Sequence, residues 1–347
     1  MTISSPLPIA VIGVGRMGQH HARVWSATPG AKLVAIVDSN PEQAAKVAQQ
    51  YQNRAFATPE ELLASGLFAQ GGAAIVAVPT VRHRAIAEPL LAAGLDVLIE
   101  KPLAPNVTDA SALVELAAAQ GRILAVGHTE RFNPAFRALQ AYQLRPKFIE
   151  VNRISPMTFR SIDIGVVLDM MIHDLDIVHH LVGAEVTNVV AVGVPVIGAF
   201  EDIANARLTF ANGCIANLTA SRLALKTERK MRLFSPNAYV SLDYQKKAGV
   251  VITKTANEQQ LAAVREQVRS GQVADLSQLN YTALVNYEEL KIVDIEPLRA
   301  QADAFLHAVR TRTPHPVTGA DGLAAVDLAA RISQCIANHK WDDVVPP

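Results

Sequence analysis

Lys101, Asp169 and His173 are the residues whose types and spacing most directly suggest chemistry. In Asp169-Met-Met-Ile-His173-Asp174 the first Asp and the His lie four residues apart, so on a helix they share one face, one turn from each other. Lys101, in Glu100-Lys101-Pro102, directly follows an apolar run of strand character. A histidine titrates near neutral pH and can take a proton reversibly. A carboxylate one turn away can orient it or bind a neighbouring hydroxyl, and an ammonium group favours an alkoxide as it forms. Together these groups supply what oxidation of an alcohol needs. Each also has a plainer reading, as a strand-edge lysine in water or a satisfied core histidine.

The segment ahead of them says what would accept the electrons. Gly13-Val-Gly15-Arg16-Met17-Gly18 follows an apolar run and opens a helical pattern, the context that gives a GxGxxG meaning. Gly13 permits a tight turn, Gly15 lets the backbone approach a pyrophosphate, and Gly18 allows close helix–strand packing. The anion would rest on the unpaired N–H groups of the helix N-terminus. About twenty residues on, Asp38 ends the second apolar run, where a carboxylate accepts both ribose hydroxyls and repels a 2′-phosphate. Ser39-Asn40 offers no arginine to neutralise such a phosphate, so NAD is expected over NADP. Val78-Pro79-Thr80 closes the third of the apolar runs named below, at the sheet edge where ligands bind, and His83 follows at a helix start.

These residues need a frame. From 7 to about 127, apolar runs at 7–12, 32–37, 73–78, 96–99 and 123–126 alternate with helical patterns at 17–27, 41–51, 59–63, 82–93 and 108–119. Such alternation predicts a parallel sheet covered on both faces. A linking helix is expected over 134–144, then an extended segment at 148–154 and a long helix over 166–181. Strands follow at 186–196, 204–210, 214–220, 229–234, 238–244 and 250–253, with Asn212-Gly213 as a hairpin turn. The polar stretch 255–280 reads as a long excursion, and two helical patterns, 297–310 and 323–339, close the chain. The fold class expected is an α/β Rossmann domain (1–128) plus an α+β domain with a mostly antiparallel open sheet (129–295), with C-terminal helices (296–347) packing back on the body.

With 347 residues, half of them hydrophobic, the chain suits two domains with sizeable cores. Lys plus Arg and Asp plus Glu are both 32, so nothing in the charge balance points to nucleic acid. Cys214 and Cys335 form neither a disulfide framework nor a metal motif, which suits a reducing compartment. No run is long enough to span a bilayer, the N-terminus lacks a basic leader, and a cytoplasmic setting is expected. Asp169 and His173 have no third ligand at sensible spacing, so no metal is expected.

The fingerprint, Val78-Pro79-Thr80 with His83, Glu100-Lys101-Pro102, Arg131-Phe-Asn133-Pro134 and Asp169-Met-Met-Ile-His173 together resemble the Gfo/Idh/MocA oxidoreductases. The resemblance runs through nearly the whole chain, including Glu296-Pro297 and Pro316-Val-Thr-Gly-Ala-Asp321-Gly. It implies an NAD(P)-dependent dehydrogenase of a sugar, sugar nucleotide or inositol, with the open sheet face used to form a homo-oligomer, dimer or tetramer. It further implies cofactor contacts from Gly13, Gly15, Arg16, Met17, Gly18, Asp38, Val78, Pro79, Thr80, His83, Glu100 and Lys101. Lys101 would polarise the reacting hydroxyl, His173 take its proton, and Asp169 orient the imidazole or bind a neighbouring hydroxyl. Arg131, Asn133, Arg153, Arg160, Asp169 and His173 are the expected substrate contacts, the arginines at 153 and 160 suiting an anionic substrate because guanidinium binds phosphate oxygens bidentately. His128 could reach the cleft, whereas His21, His179 and His180 read as structural. The stretch 163–178 resembles the branch that oxidises the C3 hydroxyl of UDP-N-acetylglucosamine in lipid A synthesis, which implies coupling to a PLP-dependent aminotransferase. A dehydrogenase of free sugar or inositol and an NAD-redox glycosidase are the alternatives within the same family.

Overall fold

The computed structural model describes residues 5–158, 164–256, 258–270 and 285–341. Strands β1 (Leu7–Ile12), β2 (Ala31–Val37), β3 (Arg54–Phe56), β4 (Ala73–Val76), β5 (Asp96–Glu100) and β6 (Leu124–Gly127) form one parallel sheet in the order 3-2-1-4-5-6. Every residue of β4, β5 and β6 is buried, as a sheet covered on both faces requires. The cover comes from α1 (Arg16–Ser26), α2 (Pro41–Gln50), α3 (Pro59–Ala64), α4 (His83–Ala92) and α5 (Val107–Ala119). Asn40, Thr58 and Asn106 cap three of these helices by accepting first-turn N–H groups, each cap contributing about 1 kcal/mol.

A short helix α6 (Pro134–Ala138) leads to the second sheet. Its strands are β7 (Phe148–Ile154), β8 (Val186–Val194), β9 (Ile203–Phe210), β10 (Ile215–Ser221), β11 (Glu228–Phe234), β12 (Ala238–Asp243), β13 (Ala248–Lys254) and β14 (Val285–Glu289), in the order 14-13-12-11-7-10-9-8. Only β7 and β10 run parallel; every other pairing is antiparallel. Helix α7 (Ile172–Val182) covers one face, where Ala204, Ala206, Leu208 and Phe210 of β9 are buried. The other face is open, and Ile203, Asn205 and Arg207 lie exposed there. Helix α8 (Glu258–Arg269) lies between β13 and β14, while α9 (Pro297–Thr311) and α10 (Gly319–Asn338) return to the first sheet. Helix α10 joins the two halves: Ala325 and Val326 pack into the first core, Leu328, Ala329 and Ile332 into the second. Trp25 of α1 meets Phe305 of α9 edge to face at 6.1 Å.

Four local features depart from the sequence reading. Strand β3 is three residues long and largely exposed, too short and polar to show a pattern. The expected excursion over 255–280 contains α8. The linking helix ends at Ala138 and continues only as a short 3₁₀ turn. The long helix over 166–181 begins as a π turn, Val167–Met171, before α7 proper. Among the described residues no helix is long and apolar enough to cross a membrane.

Candidate active site

The carboxyl ends of the first sheet's strands meet along one edge, and the order 3-2-1-4-5-6 puts the topological switch between β1 and β4. Gly13 leaves β1 at φ +82°, and a Cβ there would stand 2.7 Å from the Ala77 oxygen. At Gly18 a Cβ would overlap the Gly13 carbonyl, so α1 can approach β1 only with glycine there. Gly15 meets nothing within 4 Å and leaves its backbone open to a ligand. Asp38 Oδ2 accepts from the Val14 N–H at 2.7 Å and Oδ1 from the Asn40 N–H at 2.9 Å, leaving carboxylate lone pairs for ribose hydroxyls. Gly13, Gly15, Asp38, Val78 and Pro79 line one cleft of about 570 Å³. A turn of positive φ, an unobstructed glycine and a fixed carboxylate fit a dinucleotide. Arg16 and Met17 open α1 and are exposed, and Thr80 is half-buried beside the cleft. Arg82 also lines it, a cation that sequence reasoning passed over because it precedes α4 rather than follows Asp38.

His83 corrects its expected part. It is buried, with Nδ1 2.9 Å from the Pro102 carbonyl oxygen and Nε2 3.0 Å from that of Val78. The ring ties the β4 turn to the segment after Lys101 instead of presenting itself to a cofactor. Burial pushes it below the ordinary imidazole value despite these backbone bonds.

A second cleft, about 470 Å³, is lined by Met17, His20, Glu100, Lys101, Glu130, Asn133, His173 and Arg229. Glu100 is buried and accepts a hydrogen bond from His21 Nε2 at 2.6 Å. Burial alone would raise its carboxyl pKa, but the His21 bond and the His21 and Lys101 charges outweigh it, so the carboxyl falls below its usual range. The Lys101–Pro102 peptide is cis. Lys101 Nζ donates to the Asp169 carbonyl oxygen at 2.7 Å and to its Oδ1 at 3.3 Å. The Asp169 carboxylate, set within the π turn, thus meets Lys101, and His173 Nδ1 has no hydrogen-bond partner among the described residues. Glu201, from the β8–β9 connection, caps that turn by accepting the Val166 N–H on its carbonyl and the Val167 N–H on Oε1.

His173 lines the same cleft, with Nδ1 turned into the protein. Burial, then the Lys101 and Arg153 charges, hold its pKa well below the ordinary imidazole value, so at neutral pH the ring is uncharged and able to accept a proton. The His128 ring is fully buried and stands edge-on to His173, centroids 6.2 Å apart. Lysine, carboxylate and neutral histidine around one cleft can bind an alcohol and remove its proton as hydride leaves.

The expected substrate arginines are a different matter. Arg131 is buried and grips Asp176 through Nε at 2.7 Å and Nη2 at 2.9 Å, with Pro316 O and Asp321 also in reach. Arg153 is equally committed to Asp174, at 2.6 and 2.8 Å. Neither guanidinium is free to hold a substrate; both bind acidic residues of α7 to the rest of the protein. Asn133 lines the cleft but spends its side chain capping α6 and reaching the Tyr244 carbonyl. Arg160 lies outside the described residues. Glu130, which sequence reasoning did not place in the site, lines it, and so does Arg229, whose basic segment suits a charged cleft or a subunit interface equally by sequence. Among the described residues no three His, Cys, Asp or Glu side chains gather as a metal site.

Residues 7–128 match the model of the Gfo/Idh/MocA oxidoreductase family, NAD-binding Rossmann fold, and residues 148–240 match the Gfo/Idh/MocA C-terminal domain. UDP-N-acetylglucosamine 3-dehydrogenase of Acidithiobacillus ferrooxidans is 40% identical over 235 residues, 67% of this chain and 73% of that protein. The solved structure of UDP-N-acetylglucosamine 3-dehydrogenase GnnA from the same organism superposes with a TM-score of 0.83 at 32% identity, covering 96% of this chain and 98% of that one. Myo-inositol dehydrogenase Hyg17 of Streptomyces leeuwenhoekii is 33% identical over 200 residues, 54% of this chain and 59% of its own.

Proposed function

This chain belongs to the Gfo/Idh/MocA oxidoreductase family and uses NAD, and from that premise we propose that it oxidises the C3 hydroxyl of UDP-N-acetylglucosamine to the ketone. The observation that carries the reading is likeness to UDP-N-acetylglucosamine 3-dehydrogenase, which extends over nearly the whole fold. The inositol dehydrogenase match is weaker and shorter, and supports a free polyol as the second reading.

The glycine turn and Asp38 would hold NAD, which supplies a hydride acceptor when bound. Lys101, steadied by Asp169, donates to the reacting oxygen and favours its alkoxide character. His173, neutral through burial and neighbouring cations, takes the hydroxyl proton. Asp169 acts through Lys101 rather than through the imidazole. The 3-keto product is the substrate type a PLP-dependent aminotransferase consumes, and we place the enzyme before such a step, in the cytoplasm. A second copy covers the open face of the larger sheet, where Phe148, Phe234 and Tyr239 form one row of tilted rings with centroids 5.8 and 5.0 Å apart.

Lys101→Ala and His173→Ala separate the reading from a merely structural role. Each is expected to abolish NADH formation while NADH binding, followed by its fluorescence, stays near the parent value. Near-normal turnover in either variant removes that residue from the mechanism.

A further inference from the structure

The cleft that holds Lys101 and His173 contains a second cation that the proton-transfer scheme does not use. Arg229 of β11 stands opposite Arg153 of β7 in the strand register, so both side chains rise from the face that α7 covers. Their surroundings differ. Arg153 is buried and closed off by Asp174. The Arg229 side chain is 46% exposed, and its one partner among the described residues is Glu130, Nη1 to Oε1 at 3.3 Å. That oxygen is shared with Arg153 Nη1 at 3.3 Å, and Glu130 Oε2 lies 3.3 Å from Asn133 Nδ2. A guanidinium carries five N–H donors in a planar fork. One here makes a long bond to a divided carboxylate, which tethers the side chain beside the cleft without using up its donors. A surface arginine in water would have neither the tether nor the two reacting-group candidates lining the same cavity.

We propose that Arg229 is the anion anchor of this site and binds the diphosphate oxygens of a nucleoside-diphosphate sugar while the sugar ring lies against Lys101 and His173. The assignment rests on the sugar-nucleotide reading above and deepens it, moving the phosphate contact from the committed Arg153 to the neighbouring strand. A neutral polyol offers a cation in this position hydroxyl acceptors but no charge to pair with and no bidentate oxygens. Glu130 sets the direction of the guanidinium fork, and fork geometry is what matches phosphate oxygens in pairs.

The test measures UDP and inorganic pyrophosphate binding to the NADH complex by titration calorimetry, for the parent protein, Arg229→Gln and Arg229→Lys. NADH affinity and melting temperature are recorded for each. Loss of a charge-assisted fork weakens UDP binding about tenfold to a hundredfold in Arg229→Gln, with Arg229→Lys between because it keeps charge but not the fork. UDP affinity of the parent falls with added salt, and that dependence flattens in Arg229→Gln. Equal UDP affinity in parent and Arg229→Gln overturns the proposal, and so does a parent that binds neither UDP nor pyrophosphate. If Arg229→Gln does not fold, equal affinity in Arg229→Lys together with a salt-independent parent overturns it equally. Arg229-dependent UDP binding with no NADH formed from UDP-N-acetylglucosamine keeps the anchor and discards the C3-dehydrogenase reading.

Discussion

Replacing Arg131 by Met tests whether this arginine holds the molecule together or holds substrate. Its side chain is 4% exposed and that of Asp176 is fully buried. The pair is bidentate, and further Arg131 contacts reach the turn that begins α10. Arg131→Met leaves the Asp176 carboxylate buried without its counter-ion, which costs about 3–5 kcal/mol. Against a total stability of about 5–15 kcal/mol this is a large share. At about 2–4 °C per kcal/mol the melting temperature falls on the order of 10 °C. Asp176→Asn moves it the same way, whereas Arg131→Met with Asp176→Leu recovers most of the loss, since removing both charges strands neither. Differential scanning fluorimetry without cofactor reads all three. A single variant that melts within about 1 °C of the parent and instead raises KM for the sugar nucleotide would refute the structural assignment.

The glycine loop offers a paired test. Gly18→Ala puts a methyl into the Gly13 carbonyl and lowers both melting temperature and NADH affinity, whereas Gly15→Ala meets no protein atom and lowers NADH affinity alone. Equal effects on stability would contradict the close-packing account of Gly18. Asp38→Ala removes the charge that repels a 2′-phosphate, and the ratio of kcat/KM for NADP over NAD rises roughly tenfold or more; an unchanged ratio assigns coenzyme choice elsewhere, with Arg82 next in line. Burial lowers the pKa of His83, His128 and His173, so on acidification below about pH 6.5 the unfolded chain binds more protons than the folded one. Stability from these groups is complete above that pH and declines as pH falls toward their folded values. The melting temperature therefore drops between about pH 6.5 and 5, and a flat profile there would mean these rings are not buried neutral.

The chemistry-bearing residues were legible where one element carries them. Gly13, Gly15, Gly18 and Asp38 sit on a strand–turn–helix–strand unit, and their spacing is set by local geometry. Lys101 and His173 were legible as types, but the pairing of Asp169 with Lys101 rather than with His173 was not, since Asp169 sits in a π turn that the 3.6-residue period conceals. Arg131 and Arg153 misled for a physical reason. Their partners Asp176 and Asp174 lie 45 and 21 residues away, and a single sequence does not say which carboxylate a guanidinium will find. Arg229 was legible only as part of a basic segment that suits a charged cleft or a subunit interface equally, because its place in the cleft depends on β11 pairing with β7, a strand inserted beside it from far earlier in the chain. The order of the larger sheet was equally hidden, since β7 lies between β11 and β10 and no local signal specifies that insertion.

The most direct measurement of the central claim follows deuterium. UDP-N-acetylglucosamine deuterated at C3 is incubated with NAD and the protein, with a PLP aminotransferase and glutamate drawing off the ketone, and the NADH formed is examined by mass spectrometry and NMR. The account predicts deuterium on the nicotinamide and an amino group at C3 of the sugar product. NADH without deuterium, or no NADH while the cofactor is still bound, would contradict oxidation at C3.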